Sequence, residues 1–322
     1  MSQSANQNGI ITGLHHITAI SSTARKNVDF YAGILGLRMV KKTVNFDAPD
    51  VYHLYYGDEL GSPGSIMTFF PFGKNIRQGK GGKGQATATS FAIPTEAVSY
   101  WLDRFSAQGV HHDKPFQRFG ETVIPFTDFD GMGLELIATD KDTRPGFTYG
   151  EIPLEKSIRG FFGTTLSVGR HALTHDLLTQ HMNYRLEEEA ENRYRLSVDG
   201  TPGTFVDIVD DPREMMALEG GGTVHHVAFA TRTDEEQKAI REILLKEDFH
   251  PTPVIDRQYF HSIYFREPNG ILFEVATNPP GFSVDEAPEE LGTNLKLPPQ
   301  YEQYRDKLEN YLEPIQAPEF VK

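Results

Sequence analysis

The chain contains no cysteine. That absence excludes structural disulfides, zinc knuckles, iron–sulfur clusters and cysteine nucleophiles, and leaves His, Asp, Glu and Tyr as the ligands for any metal. Basic residues are scarce beside acidic ones: 31 Lys and Arg stand against 45 Asp and Glu in 322 residues, a formal net charge of -14. A broad basic face for nucleic acid is therefore not expected, although a local pocket can differ in sign from the whole molecule. No apolar run is long enough to span a bilayer. The stretch Met1–Gly9 is polar and lacks the apolar centre of a secretory signal. A soluble cytoplasmic protein is the default expectation, with neither membrane nor nucleic acid as partner.

What the chain does have is internal repetition. From Leu14 it opens with a strand-like run, LHHITAI, followed by polar Ser21, Ser22 and Thr23 as a helix cap. The segment ARKNVDFYAGILG then places Val28, Tyr31, Ile34 and Leu35 at helical spacing before Gly36, and β-rich runs follow (LRMVKKTVNF, VYHLYYGD, GSIMTFFPF). The same order of strand, helix and further strands recurs from ATSFAIP (88–94), GTTLSVG (163–169) and TVHHVAFA (223–230). Each unit reads βαβββ, so the α+β class is expected rather than a doubly wound parallel sheet. One such module leaves a curved sheet with an open edge. Two paired modules close a barrel-like cup whose concave face suits a ligand, and four modules make two cups.

The stretch 140–156, rich in charge, Gly and Pro, separates an N-terminal region (10–140, modules one and two) from a C-terminal region (157–278, modules three and four). The tail 279–322 lacks the pattern and is expected to lie along the surface or cover a sheet edge. GKGGKG at 79–84 lacks the full spacing of a phosphate loop and has no helix after it, so it reads as a flexible connector.

Histidines occur as adjacent pairs in the first strand of two modules, His15-His16 in module one and His225-His226 in module four. Strand alternation puts His15, Ile17 and Ala19 on one face and His16, Thr18 and Ile20 on the other. It likewise opposes His225, Val227 and Phe229 to His226 and Ala228. The more apolar face should meet the helix, which leaves His16 and His226 pointing into a cup. In the last strand of module four, Glu274 lies in an otherwise apolar run, GILFEVAT, where a carboxylate is costly unless paired or bound to a cation. Module one has Thr68 at the matching place. Modules two and three carry Glu135 and Asp207 near theirs, Glu135 only after a one-residue shift, with Thr89 and Thr165 where the imidazoles would be. Modules one and four are thus expected to share a metal cup, and modules two and three a degenerate one. Two imidazoles and one carboxylate make the facial triad of non-haem Fe(II) oxygenases, and Thr68 leaves coordination positions open. The competing interpretation is that both pairs are buried structural histidines.

At these residues the sequence resembles the hydroquinone-type ring-cleaving dioxygenases of the vicinal-oxygen-chelate superfamily, which also holds glyoxalases, bleomycin-resistance proteins and extradiol dioxygenases. The matching strings are LHHITAI, NVDFYAGILGLRMVKKTVNFD, YHLYYGDELGSPGSIMTFFPF, HHVAFA, DRQYFHSIYFREPNGILFEVAT and LGTNLKLPPQYE, which together span nearly the whole chain. The resemblance implies His16, His226 and Glu274 as metal ligands, with Fe(II) as cofactor and Mn(II) compatible with the same set. It also implies supporting roles for His15, Thr18, His225, Arg257 and Tyr264. Arg257 could steady an anionic oxygen, because a guanidinium stays charged. Tyr264 could donate a hydrogen bond or pass a proton. By alternation His15 and His225 read as orienting residues, and His53 and His261 lie in strand-like segments that could reach the cup. The expected function is an Fe(II)-dependent, extradiol-type dioxygenase that inserts both atoms of O2 into a small hydroquinone-like aromatic, in aromatic catabolism or quinone detoxification. A homodimer is compatible with such folds. Two other functions stay open at this point: a glyoxalase-like metal-dependent isomerase or thiol transferase, and a non-catalytic aromatic-binding protein.

Overall fold

The computed structural model describes residues 9–318. Residues 1–8 and 319–322 lie outside the described residues, and with them nearly all of the polar start and the end of the tail. Module one supplies β1 (Leu14–Ser21), β2 (Arg38–Val44), β3 (Tyr52–Gly57) and β4 (Ile66–Pro71); module two supplies β5 (Gln85–Ile93), β6 (Phe116–Arg118), β7 (Glu121–Thr127) and β8 (Gly133–Ala138). Module three gives β9 (Gly160–Ser167), β10 (Arg185–Ala190), β11 (Arg193–Ser197) and β12 (Phe205–Val209). Module four gives β13 (Thr223–Thr231), β14 (Ile255–Asp256), β15 (Phe260–Arg266) and β16 (Leu272–Pro280).

These strands form two curled eight-stranded sheets. One runs β14-β15-β16-β13-β1-β4-β3-β2, the other β10-β11-β12-β9-β5-β8-β7-β6. Modules one and four therefore share a sheet, as the histidines suggested, and modules two and three share the second. At each centre the first strands of two modules pair antiparallel, β1 with β13 and β5 with β9, while each module's last strand runs parallel to its own first. Every residue of β1 is buried, which fits a strand covered by helices on one face and closed over by the cup on the other.

The helices pack apolar stripes against the outer faces. In α4 (Asp234–Lys246), following α1 (Ala24–Val28), α2 (Val98–Gln108) and α3 (His171–His181), Thr233 accepts the Glu236 backbone N–H, and three acidic residues occupy the positive first turn. The helix then buries Ile240 and Leu244. The cap expected in module one does not form: Thr23 makes no side-chain cap bond, and α1 widens into a π turn over Asp29–Ile34. Ser22 is drawn off instead, donating from both N and Oγ to the Asp130 carboxylate at 2.6 Å each. An ionised acceptor from the β7–β8 turn outcompetes a neutral local cap.

Two segments outside the modules are pinned. The 79–84 run is not a free connector: Gln78, Lys80 and Lys83 bridge to Gly221, Leu218 and Met216 of the connector that precedes module four. The approach is so close that a Cβ at Gly82 would lie 2.4 Å from the Met215 carbonyl oxygen. The tail covers the edge strand β2, with Lys296 N donating to Lys42 O at 2.9 Å and the buried Lys41 ammonium meeting the Glu286 carboxylate at 2.6 Å. It thereby removes one open sheet edge. No helix among the described residues is long and apolar enough to cross a membrane.

Candidate metal centre

The ladder between β1 and β13 slips twice. Leu14 pairs with Phe229 and His16 with Ala228, which leaves His15 as an extra residue; Thr18 pairs with His226 and Ala19 with Val224, which leaves His225 extra. The first histidine of each pair is thus a β-bulge residue. A bulge breaks strict alternation and brings the two side chains of a pair together. The Nδ1 atoms of His15 and His16 lie 3.0 Å apart, and those of His225 and His226 2.8 Å apart. The expectation that His15 and His225 turn toward the helices fails for this reason: His225 lines the cup's cavity, and His15 packs on Phe260, which lines it too.

The second sheet repeats the slips at Thr87 and Phe162. Counted from those bulges, Ala88 and Gly163 occupy the places of His226 and His16, not Thr89 and Thr165 as the sequence pattern had it. Glu135 faces Ser90 as Glu274 faces Ala228, so no shift is needed to align them, and Asp207 faces Thr165 as Thr68 faces Thr18.

His16, His226 and Glu274 converge at the base of the first cup, all three buried. Glu274 Oε2 lies 2.9 Å from His226 Nε2 and 3.2 Å from His16 Nε2, and the two Nε2 atoms are 3.2 Å apart. Donors held about 2.1 Å from one metal ion and at right angles to each other stand roughly 3 Å apart, which is this near-equilateral triangle. Glu274 Oε2 has no hydrogen-bond donor of good geometry, while Oε1 is held by Ser262 Oγ. A carboxylate with no exposure, facing two ring nitrogens, calls for a cation.

The hydrogen bonds around the triangle prepare it for one. His15 Nε2 lies 3.1 Å from the Thr277 carbonyl oxygen, which can only accept, so His15 carries its proton there. Its bare Nδ1 then accepts from His16 Nδ1–H, and His16 Nε2 is left as a lone pair aimed into the triangle. Burial lowers His15 to about 3 and His225 to about 4, each further lowered by its paired neighbour; burial also lowers His226. Neutral imidazole is the form that binds a divalent cation.

Residues 13–136 match the model of the glyoxalase/bleomycin resistance protein/dioxygenase superfamily. MhqO of Bacillus subtilis, named by inference as a ring-cleaving dioxygenase, is 43% identical over 95% of this chain and 97% of its own. The chlorohydroquinone/hydroquinone 1,2-dioxygenase of Sphingobium indicum is 35% identical over 92% of this chain and 95% of its own. The chain belongs to this superfamily. Within it, the protein is an enzyme of the ring-cleaving dioxygenase group. The crystal structure of an inferred dioxygenase from Bacillus subtilis superposes with a TM-score of 0.93 at 41% identity, covering 97% of this chain and all (100%) of that one. Glyoxalase I of Zea mays shares the fold, with a TM-score of 0.61 at 14% identity over 83% of this chain and 92% of its own.

In this superfamily member the triangle opens on a cavity of about 530 Å³. Arg257 and Tyr264 both line it. Arg257 Nε donates to Tyr264 Oη at 3.1 Å, its guanidinium stands 5.3 Å from the Tyr264 ring centre, and Asp47 lies 3.4 Å from its Nη1. Burial raises the Tyr264 hydroxyl above the ordinary phenol value, so it is a neutral donor. Thr18 does not line the cavity. Its Oγ1 meets Thr68 Oγ1 at 3.0 Å, and Thr68 in turn meets His53 Nε2 at 2.8 Å. His53 lines the cavity, and its Nδ1 shares a hydrogen bond with Tyr55 Oη 2.8 Å away. His261 is absent from the lining, its Nδ1 2.7 Å from Asp234 at the start of α4.

Ser262, Tyr55 and Phe260 were not singled out from sequence. Ser262 and Tyr55 had a signal: Ser262 is two residues from Tyr264, and Tyr55 two from His53, so each pair shares a strand face.

Proposed function

We propose that this enzyme is an Fe(II)-dependent, extradiol-type dioxygenase that opens hydroquinone-like rings and inserts both atoms of O2. The observation that carries the proposal is the triangle of two Nε2 atoms and one carboxylate oxygen whose fourth corner, Thr68, is not a carboxylate. The activity for which the Sphingobium relative is named supplies the substrate class.

In this proposal His16, His226 and Glu274 hold the metal. When bound, the metal supplies a redox centre through which ground-state O2 can react with a closed-shell ring. The rest is done by side chains. His15 and His225 fix the ring orientation and tautomer of the ligating histidines. Ser262 holds the second Glu274 oxygen so that Oε2 stays turned inward. Tyr264 donates to a substrate oxygen, and Arg257, fixed by Tyr264 and Asp47, offsets the negative charge of a deprotonated phenol. Thr18 acts at one remove, by positioning Thr68 and with it His53. The apolar cup wall limits water beside the reacting ring.

Thr68 also weighs against a glyoxalase-like isomerase, which would want a fuller ligand set. Protein loaded with Fe(II) without air and then given O2 should consume it with hydroquinone and give a ring-opened product. Absence of O2 uptake with every hydroquinone and catechol tried sinks the proposal; turnover with Mn(II) alone would correct only the metal.

A further inference from the structure

The cup is far larger than the ring proposed to react in it. A bare hydroquinone occupies roughly 150 Å³, about five water volumes, so it fills on the order of a quarter of the cavity. Much of the remainder is walled by apolar side chains. Ile20 at the end of β1, Phe46 after β2, Phe70 in β4, Phe72 just beyond it, Ile76 in the following connector and Leu272 at the start of β16 all contribute to the lining. These six come from both modules of the cup, and only Ile20 among them is fully buried. Partly exposed apolar side chains converging on a catalytic cavity gain nothing by lining it unless something apolar covers them.

Their order gives the path. The Phe70 ring sits 4.4 Å from His53 and 5.9 Å from His225, hence directly over the polar floor. The Phe72 ring stands 6.3 Å further out from Phe70 and is 42% exposed. A row of apolar side chains thus runs from the reacting end of the cup to its mouth. Of the four charged residues of the lining, Asp47 and Arg257 contact each other at 3.4 Å, and Arg77 and Glu219 contribute one charge of each sign.

We infer that the substrate class is a hydroquinone bearing a bulky apolar substituent, alkyl or aryl, which lies along Phe70, Phe72 and Ile76 while the ring reaches the metal end. The inference rests on the dioxygenase reading but narrows it, since that reading alone is indifferent to ring substituents.

Binding separates the two. Fe(II)-loaded protein kept free of O2 would be titrated calorimetrically with hydroquinone, tert-butylhydroquinone, phenylhydroquinone and 2,5-dihydroxybenzoate, and kcat/KM then measured by O2 uptake. Phenylhydroquinone should bind about tenfold or more tighter than hydroquinone, the span a well-filled apolar pocket gives, and kcat/KM should rise alongside. The carboxylate-bearing ring should bind more weakly than hydroquinone. Phe72→Ser and Ile76→Ser, both at partly exposed positions, should each cut the phenylhydroquinone-to-hydroquinone affinity ratio about fivefold. Turnover of hydroquinone with equal or weaker binding of the substituted rings overturns the inference and leaves the dioxygenase reading standing. An affinity ratio unchanged in both serine variants overturns it as well. Selective binding of phenylhydroquinone that Phe72→Ser abolishes, without O2 uptake on any ring, upholds the apolar path and sinks the dioxygenase reading.

Discussion

The two cups are built from the same module and differ at three of four equivalent corners. The first holds His16, His226, Glu274 and Thr68; the second holds Gly163, Ala88, Glu135 and Asp207. Both bury carboxylate, and both must answer it with positive charge. The second cup does so with its own side chains. Arg118 binds both oxygens of Glu135 at 2.8 and 2.9 Å, while Arg195 reaches Asp207 at 2.8 Å and Glu121 at 2.7 Å. Strand register makes the substitution explicit. At matching positions Arg195 stands opposite Asp207 and Tyr55 opposite Thr68, while Tyr264 stands opposite Glu274. A guanidinium neutralises a carboxylate through a fork of donors; a neutral phenol does not. The first cup therefore keeps a buried carboxylate that no guanidinium meets, whereas in the second the buried carboxylates are taken up by arginines. A Cβ at Gly163 would stand 2.5 Å from the Phe205 carbonyl oxygen, so the second cup has no place for an imidazole where the first has His16.

The comparison breaks most visibly if the two carboxylates behave alike. Glu274→Ala should strip the metal and reduce O2 uptake by more than about 100-fold, beyond the 10–100-fold typical of residues that only orient a ligand. Glu135→Ala should leave the metal content of folded protein unchanged. Metal analysis and O2 uptake on both variants check this, and loss of metal from the Glu135 variant would contradict the division of labour. Next in size is Thr68→Asp, which installs at the open corner the residue found at its counterpart, Asp207. It should keep or tighten the metal while lowering turnover about 100-fold, because a second carboxylate occupies a coordination position needed for reactants. Turnover close to that of the parent would show that the open corner is not what the chemistry uses.

The repeat and the cup pairing were legible in the sequence because they rest on periodicity and on one residue out of character. Four strand–helix–strand patterns give the modules, and Glu274 within GILFEVAT marks the metal end. The sides taken by His15 and His225 were not legible. A β-bulge adds one residue to a strand without altering its composition, and it exists only in the pairing of β1 with β13, some two hundred residues apart. The same slip moved the equivalents of the histidines from Thr89 and Thr165 to Ala88 and Gly163. Long-range capture also escaped local reading: Ser22 looks like a cap until Asp130 takes it, and 79–84 looks mobile until the connector before module four pairs with it. His53 stood out only as a histidine in a strand; its link to Thr68 and Thr18 depends on the β3–β4 and β1–β4 registers.

The smaller effects test how each cup is supported. Arg195→Met leaves Asp207 and Glu121 buried without their shared guanidinium, and should destabilise the fold by about 3–5 kcal/mol in urea unfolding of the metal-loaded protein. Replacing the charges together, as in Arg195→Met and Arg193→Met with Asp207→Leu and Glu121→Gln, should recover most of the loss, since Arg193 also pairs with Asp207 and apolar packing can replace a buried ion network. Failure to recover would mean that the network also specifies how modules two and three meet. In the metal cup the matching support is Ser262, whose hydroxyl holds Glu274 Oε1. Ser262→Ala should weaken metal binding by roughly 10–100-fold in competition with a chelator while the circular dichroism of the folded protein stays that of the parent. The effect is smaller than loss of a ligand because Glu274 remains in place and only its orientation is released. An unchanged affinity would mean that the buried walls of the cup alone aim Oε2, and that the hydrogen bond serves only to satisfy Oε1.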